Sequence, residues 1–331
     1  MNTRQNTLTA LAHKQPAQVP YDIQFTKNAQ QKMVEFYGDP AFETKLGNCF
    51  TFVRAYFYRE IRPHLWEDIY GVHWDRTLDK DIGVVVNRPV TPETFAAYTF
   101  PNPDDPALYA DYAASLTHKP ETLVIAKIGY ALFERAWALA GMENILTYML
   151  TDKPFVHALF DKILAYNLKV IEKSCAYDID GMMFGDDWGQ QTGLLMGPKL
   201  WREFIKPRIR EMYRLVKARG KLVLIHSCGK VQQIFPDLIE CGLDVFNPFQ
   251  PEVMDVFEMK KTFGAQLSFY GGISTQQTLP FGSVAQVRDE VQRLMDVVGK
   301  DGGFIASPAH ATPGDAKAEN IAAMLEVLQN Q

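Results

Sequence analysis

Cysteine is scarce in this chain: Cys49, Cys175, Cys228 and Cys241 are the only four among 331 residues, and none forms a CxxC pair. That sparseness excludes a disulfide framework and leads us to expect a cytoplasmic protein. Clusters of basic residues are also missing, and 34 Lys and Arg against 39 Asp and Glu leave a net charge of −5. A nucleic-acid partner is therefore not expected, because phosphate binding needs gathered cations. No apolar run approaches the roughly 20 residues of a membrane helix, so no membrane association is expected. The opening MNTRQNTLTALAHKQPAQ has neither the apolar core nor the cleavage site of a secretory signal. Neither GxGxxG nor GxxxxGK[ST] occurs, which argues against a doubly wound nucleotide-binding sheet.

Hydrophobic residues make up 47% of the chain, ample for a large core. From about residue 120, short apolar runs alternate with longer amphipathic stretches. The runs are 123–129, 181–187, 221–229, 244–249, 267–273 and 302–307, each bounded by Gly, Asp, Asn or Pro and read as a strand buried on both faces. Residues 199–219 carry one apolar stripe closed by Gly220, with Pro207 expected to kink that helix, and 284–298 repeat the pattern. Strand–helix alternation without a nucleotide-binding turn predicts an α/β fold, a (β/α)8 TIM barrel with an elaborated N-terminal segment. No linker or repeat divides the chain, so 1–331 reads as one barrel domain with an irregular part over about 1–120. Within that part, 21–25 and 83–89 read as candidate strands, and 66–76 and 100–106 as loops.

Polar chemistry collects just after the predicted strands, and in a barrel those strand ends share one rim, where active sites form. His226 and Cys228 are two apart at such an end, so an imidazole and a thiol face the same space. Nitrogen and thiolate together suit Zn²⁺, although two such residues pack structurally about as often as they bind. A third ligand is needed, and His310, after the last strand, is the best placed. Asp186 and Asp187 read as a ligand, a general acid or base, or a helix cap. Glu134 and Arg135 read as an ion pair at a helix start. Tyr130 and Trp188 are aromatics able to stack on a planar substrate. Gln190 and Asn247 sit in rim loops, and His73 has an aromatic setting that hints at a pocket. Cys175 and Cys241 read as buried small hydrophobes.

The segments YGVHWDR, FERAW with LAGMEN, FGDDWGQQTGLLMGPKLWREFIKPR, HSCG, DVFNPFQP, GGISTQQTLPFGS and GGFIASPAH, then ENIAAM, resemble the uroporphyrinogen decarboxylase superfamily from about residue 66 onward. The resemblance implies a (β/α)8 barrel. It departs from the true decarboxylases, whose arginine-rich N-terminal segment grips substrate carboxylates, since YDIQFTKNAQ here has no arginine. It is closer to the corrinoid-dependent methyltransferase branch, which holds a catalytic zinc through HxC and a later cysteine ten residues before an Asn. His226 and Cys228 match that motif, and counting back ten from Asn320 reaches His310 in place of the cysteine.

The resemblance thus implies one Zn²⁺ per chain on His226, Cys228 and His310, and from their place at a strand end Asp186 and Asp187 are expected to be catalytic groups. Tyr130, Trp188, Gln190, Asn247 and His73 would contact a small substrate. The chain has no DxHxxG cobalamin signature, so the corrinoid is expected from a partner protein. One thiolate fewer makes the zinc a stronger Lewis acid, which leans toward a demethylase-type enzyme acting on a methoxylated or methylated compound. The alternative is a metal-free decarboxylase or lyase working on a carboxylated substrate through Asp186.

Overall fold

The computed structural model describes residues 2–331. Strand β1 (Phe50–Arg54) leads into four short strands, β2 (Tyr58–Arg62), β3 (Leu65–Asp68), β4 (His73–Asp75) and β5 (Val84–Val85), which pair antiparallel as a separate sheet. Then follow β6 (Leu123–Ile128), β7 (Gly181–Gly185), a small hairpin of β8 (Gly189–Gln190) and β9 (Gly193–Leu194), β10 (Leu222–His226), β11 (Val245–Phe249), β12 (Ser268–Ile273) and β13 (Phe304–Pro308). The main sheet is seven-stranded and parallel in the order β1-β6-β7-β10-β11-β12-β13, with helices between successive strands. The chain is therefore α/β with a curled parallel sheet.

The six runs read from the sequence each hold one of these strands, and β11, β12 and β13 are buried at every position. Those strands are covered on both faces, which is why they read as continuous apolar runs. One face packs inward as a cluster of Phe50, Leu123, Ile125, Met183, Leu224, Val245, Tyr270 and Ile305, and the other packs under the helices. Between the outer strands β13 and β1 runs Pro20–Asp22. Ala306 donates to the Pro20 carbonyl (2.9 Å), Asp22 N–H to the Ala306 carbonyl (3.1 Å), and Cys49 N–H to the Tyr21 carbonyl (2.9 Å). The 21–25 stretch thus makes isolated bridges, at Tyr21 and Phe25, rather than a full strand. Among the described residues no helix is long and apolar enough to cross a membrane.

Three expectations need revision. Residues 66–76 are not a loop, because β3 and β4 pair there and Asp68 organises the turn between them. Its Oδ1 accepts from the Tyr70 and Val72 amides, and its Oδ2 from Tyr56 Oη (2.6 Å), Trp74 Nε1 (3.1 Å) and Arg135 (2.8 Å). Arg135 is accordingly paired with Asp68 and not with Glu134, its guanidinium 4.0 Å over the Tyr70 ring and only 1% exposed. The ion pair ties the antiparallel sheet to the helix Phe133–Ala140. The kink expected at Pro207 is a wide π-helical turn over Trp201–Ile205, just before the segment Lys206–Ala218. The wide turn accommodates the missing proline N–H by loosening the preceding helical ladder.

Asp186 also falls on the structural side. Its carboxylate accepts from the amides of Leu132 (3.1 Å), Phe133 (3.2 Å) and Glu134 (2.8 Å) and from the Trp188 indole. The helix Phe133–Ala140 has no side-chain cap of its own, so Asp186 supplies one across the sheet. With 1% exposure and four donors upon it, this carboxylate is held inside rather than offered to a substrate. Burial pushes it up to about 6 despite those donors.

Two stability measurements follow. Asp68→Ala leaves the Arg135 guanidinium buried and unpaired and four further donors without their acceptor, and chemical denaturation is expected to show a loss of about 3–5 kcal/mol, only partly regained with Arg135→Met added. For Asp186 the folded chain holds the proton more tightly than the unfolded chain, whose ordinary value is 3.8. Its contribution is therefore greatest below that value and falls as pH rises toward 6. Asp186→Asn should remove that decline, seen as a wild-type minus variant difference of order 2–3 kcal/mol between pH 4 and pH 7.

Candidate metal centre

Alternation along β10 turns Leu222, Leu224 and His226 to the inner face, and the strand ends at His226. The next strand sets Asn247 opposite His226 in register. Asn247 Oδ1 lies 2.6 Å from His226 Nδ1, while its Nδ2 donates to the Tyr270 carbonyl on β12 at 2.9 Å. Because that carbonyl can only accept, the amide orientation is fixed and Oδ1 must be the acceptor toward the ring. Nδ1 then carries the hydrogen, and Nε2 presents a bare lone pair.

Nε2 points at Cys228, whose Sγ is 3.4 Å away. The loop carrying the thiol is pinned at consecutive amides: Ser227 N–H to the Asn247 carbonyl (2.7 Å), Cys228 N–H to Asp187 Oδ1 (2.8 Å) and Gly229 N–H to Gln250 Oε1 (2.7 Å). Gly189 and Gly229 let the neighbouring hairpin close on this loop. A Cβ on Gly229 would lie 2.4 Å from the Gly189 carbonyl carbon, and one on Gly189 would lie 2.5 Å from the Cys228 oxygen. Gly229 also holds φ +89°, which disfavours any side chain.

His310 arrives from the far side of the sheet. Beyond β13, Ala309 N–H donates to the Ile273 carbonyl (2.8 Å), and the His310 ring follows 5.4 Å from that of His226 at 74°. The nitrogen and sulfur donors of His226, Cys228 and His310 all lie within 4.8 Å of one another. The expected trio, drawn from two distant stretches of chain, thus shares one small space.

Electrostatics at the trio favour a cation. Burial pushes the Cys228 thiol up, and the charges of Asp187 and Glu134 push it further. His310 is the most open of the three, yet protein crowding and the neighbouring His226 bring it down to about 4. The imidazole is then neutral and ligand-ready through the ordinary pH range. The thiol keeps its proton unless a cation stabilises the thiolate. Asp187 Oδ1 stands 4.0 Å from His226 Nε2.

The other expected residues divide. Asn247 touches His226 and orients it. Tyr130, at φ +53°, is held between the rings of Trp74 (5.0 Å) and Trp137 (5.7 Å), and burial followed by the Glu134 charge raises its hydroxyl. Gln190 is exposed on the hairpin beside the loop, its carbonyl accepting from Lys230 N–H (2.9 Å). Trp188 is fully buried against Trp201, which leaves it no surface for a substrate. His73 is engaged by Glu67 at 3.3 Å within the antiparallel sheet. Glu134 was not singled out as a site residue, although its carboxyl is held well above the ordinary range by burial and by Asp187 and Asp186. The signal available was an acid placed shortly after the end of β6.

The family model described as uroporphyrinogen decarboxylase (URO-D) matches residues 72–331. A methylated-thiol–coenzyme M methyltransferase of Methanosarcina mazei is 24% identical over 173 residues, 51% of this chain and 45% of the relative. A methylcobamide:CoM methyltransferase of Methanosarcina barkeri is 27% identical over 132 residues, 40% of this chain and 36% of the relative. The matched stretches thus span less than half the length of these curated relatives. In fold, the chain is similar to the solved structure of a methyltransferase from Methanosarcina mazei, with a TM-score of 0.75 at 14% identity over 99% of this chain and 98% of that one. The chain belongs to the uroporphyrinogen decarboxylase family, and the relatives it matches are methyltransferases.

Proposed function

We propose that this chain is a zinc-dependent methyltransferase that moves a methyl group between a small methoxylated or methylated substrate, or a thiol, and a corrinoid carried by a separate partner protein. In this reading it is a cytoplasmic, single-domain (β/α)8 barrel, with Pro20–Asp22 filling the gap between β13 and β1. The observation that carries the proposal is the gathering of two imidazoles and one thiol within 4.8 Å, with the His226 Nε2 lone pair aimed into the space. Two nitrogens and one sulfur form a donor set that fits Zn²⁺ and leaves a position for substrate. When bound, zinc would supply Lewis acidity toward the oxygen or sulfur of the substrate.

The chain's own residues do the rest. Asn247 keeps His226 in the tautomer that offers Nε2. Asp187 fixes the Cys228 loop through its amide. Burial, then Asp187 and Asp186, hold the Glu134 carboxyl well above its ordinary range in the wall beside the thiol. A single thiolate leaves the metal more electrophilic than two would, which favours demethylation of an oxygen or sulfur ether. Transfer to a thiol is the second reading, favoured by relatives named for coenzyme M. The metal-free decarboxylase reading relied on Asp186, whose oxygens are occupied by the helix cap.

Purified protein is expected to hold about one zinc per chain, with His226→Ala and Cys228→Ser abolishing retention. Asn247→Ala should weaken zinc binding roughly 10- to 100-fold while leaving the fold intact. Methyl exchange with methylcobalamin should stop on chelation and return with added zinc. Undiminished exchange in chelated protein would overturn the proposal.

A further inference from the structure

Alternation along β6 turns Leu123, Ile125 and Lys127 to one face, and the first two belong to the inner cluster. Along β1 the same face carries Phe50, Phe52 and Arg54, with Phe52 level with Ile125 and Arg54 level with Lys127. The lysine therefore points inside the curled sheet near the carboxyl end of its strand, half-buried, with an arginine beside it on the next strand. Its Nζ lies 3.5 Å from the centroid of the Phe52 ring. Among the described residues it has no hydrogen-bond partner and no carboxylate oxygen within 4.0 Å. The acid of this interior is Asp22, fully buried. Its Oδ2 accepts from Tyr270 Oη (2.6 Å) and Gln24 (3.0 Å), while its Oδ1 has no partner.

A lysine so placed has the surroundings of a nucleophile. The ring face attracts an ammonium but replaces only part of its hydration, and a second cation alongside penalises the charged form. Both effects favour the neutral amine, as desolvation and a cationic neighbour do in imine-forming lysines. Burial first, and then Arg54 on β1, bring Lys127 down to about 8, while Asp22 on the segment between β13 and β1 opposes them. The neighbour in register on the other side, Met183 of β7, carries no charge. Burial raises the Asp22 carboxyl above its ordinary range, which suits a proton donor. Amine, carboxyl group and aromatic wall on the inside of one sheet are the parts that imine formation needs.

We propose that Lys127 is a carbonyl-reactive amine that forms an imine with small aldehydes and ketones entering the mouth of the sheet, with Asp22 as the acid of the dehydration. The amine lone pair makes an N–C bond as the carbonyl pair moves to oxygen, and a nitrogen proton passes to that oxygen to give a carbinolamine. Asp22 then protonates the hydroxyl, the C–O bond breaks with loss of water, and the nitrogen lone pair closes the C=N bond. The product is an iminium beside the Phe52 ring, balanced by the Asp22 carboxylate. No metal enters these steps, so the proposal does not rest on the trio of His226, Cys228 and His310.

The test uses the full chain with metal chelated, incubated with acetone or propionaldehyde and reduced with borohydride, and peptide mass mapping locates the alkylated lysines. At pH 7, Lys127 should be modified at least about tenfold faster than the other lysines, because more of it is neutral amine. Acetylation of the same amine by acetic anhydride, which needs no acid, should titrate with a midpoint near 8. Arg54→Gln should move that midpoint upward and slow both reactions at pH 7, with Arg54→Lys restoring them. Asp22→Asn should slow trapping by acetone at least about tenfold and leave acetylation intact. Lys127→Met should abolish the modification, and Lys127→Arg, which keeps the charge and forms no imine, serves should the methionine change fail to fold. Alkylation spread evenly over surface lysines, or an acetylation midpoint unmoved by Arg54→Gln, would overturn the proposal. An equal loss of trapping and acetylation in Asp22→Asn would overturn the part given to Asp22.

Discussion

Three adjacent strands cooperate to decide which nitrogen of His226 is free. The Tyr270 carbonyl on β12 orients the Asn247 amide on β11, and that amide takes the Nδ1 hydrogen of His226 on β10. Parallel register sets His226 level with Asn247, and the Asn247 side chain reaches the Tyr270 carbonyl where the β11–β12 pairing shifts register. Turning the imidazole over would set a ring N–H toward Cys228 and remove the lone pair that a cation needs. The donor geometry of the rim is therefore a property of strand pairing as much as of three side chains.

Around that relay, carboxylates tie the rim together. Asp186 reaches from the end of β7 to cap the helix after β6, and the next residue, Asp187, holds the Cys228 amide. Two adjacent acids thus point to different tasks, as alternation beyond a strand end allows. Asp68 performs the corresponding task for the antiparallel sheet, collecting five donors and locking Arg135. Each carboxylate is offset by donors or by a cation, as burial of a charge requires.

Much of this was legible in the sequence. The strands β6, β7 and β10 to β13 are short apolar runs with turn residues at their ends, and doubly covered parallel strands read that way. The HxC spacing put His226 and Cys228 on one face, and His310 followed from its place after the last strand. Other features were hidden by their range. The strand β1 is only partly buried and ends on an exposed arginine, so no continuous apolar run marks it within an irregular region. The β3–β4 pairing depends on Asp68 meeting Arg135 across 67 residues of chain, which no local pattern reveals. Trp188 looked like a stacking surface because an aromatic in a rim loop and an aromatic packed beneath it share the same sequence context. Asp186 was open to three readings, and only its four donors separate the cap from the others.

The central claim is that His226, Cys228 and His310 bind one cation together. X-ray absorption at the zinc edge of the loaded protein tests this most directly, since it counts scatterers by type and distance. The account predicts one sulfur near roughly 2.3 Å and at least two imidazole nitrogens near roughly 2.0–2.1 Å, with one imidazole shell lost in His310→Ala. A spectrum with only oxygen or nitrogen neighbours and no sulfur, or one unchanged by the loss of His310, would contradict it.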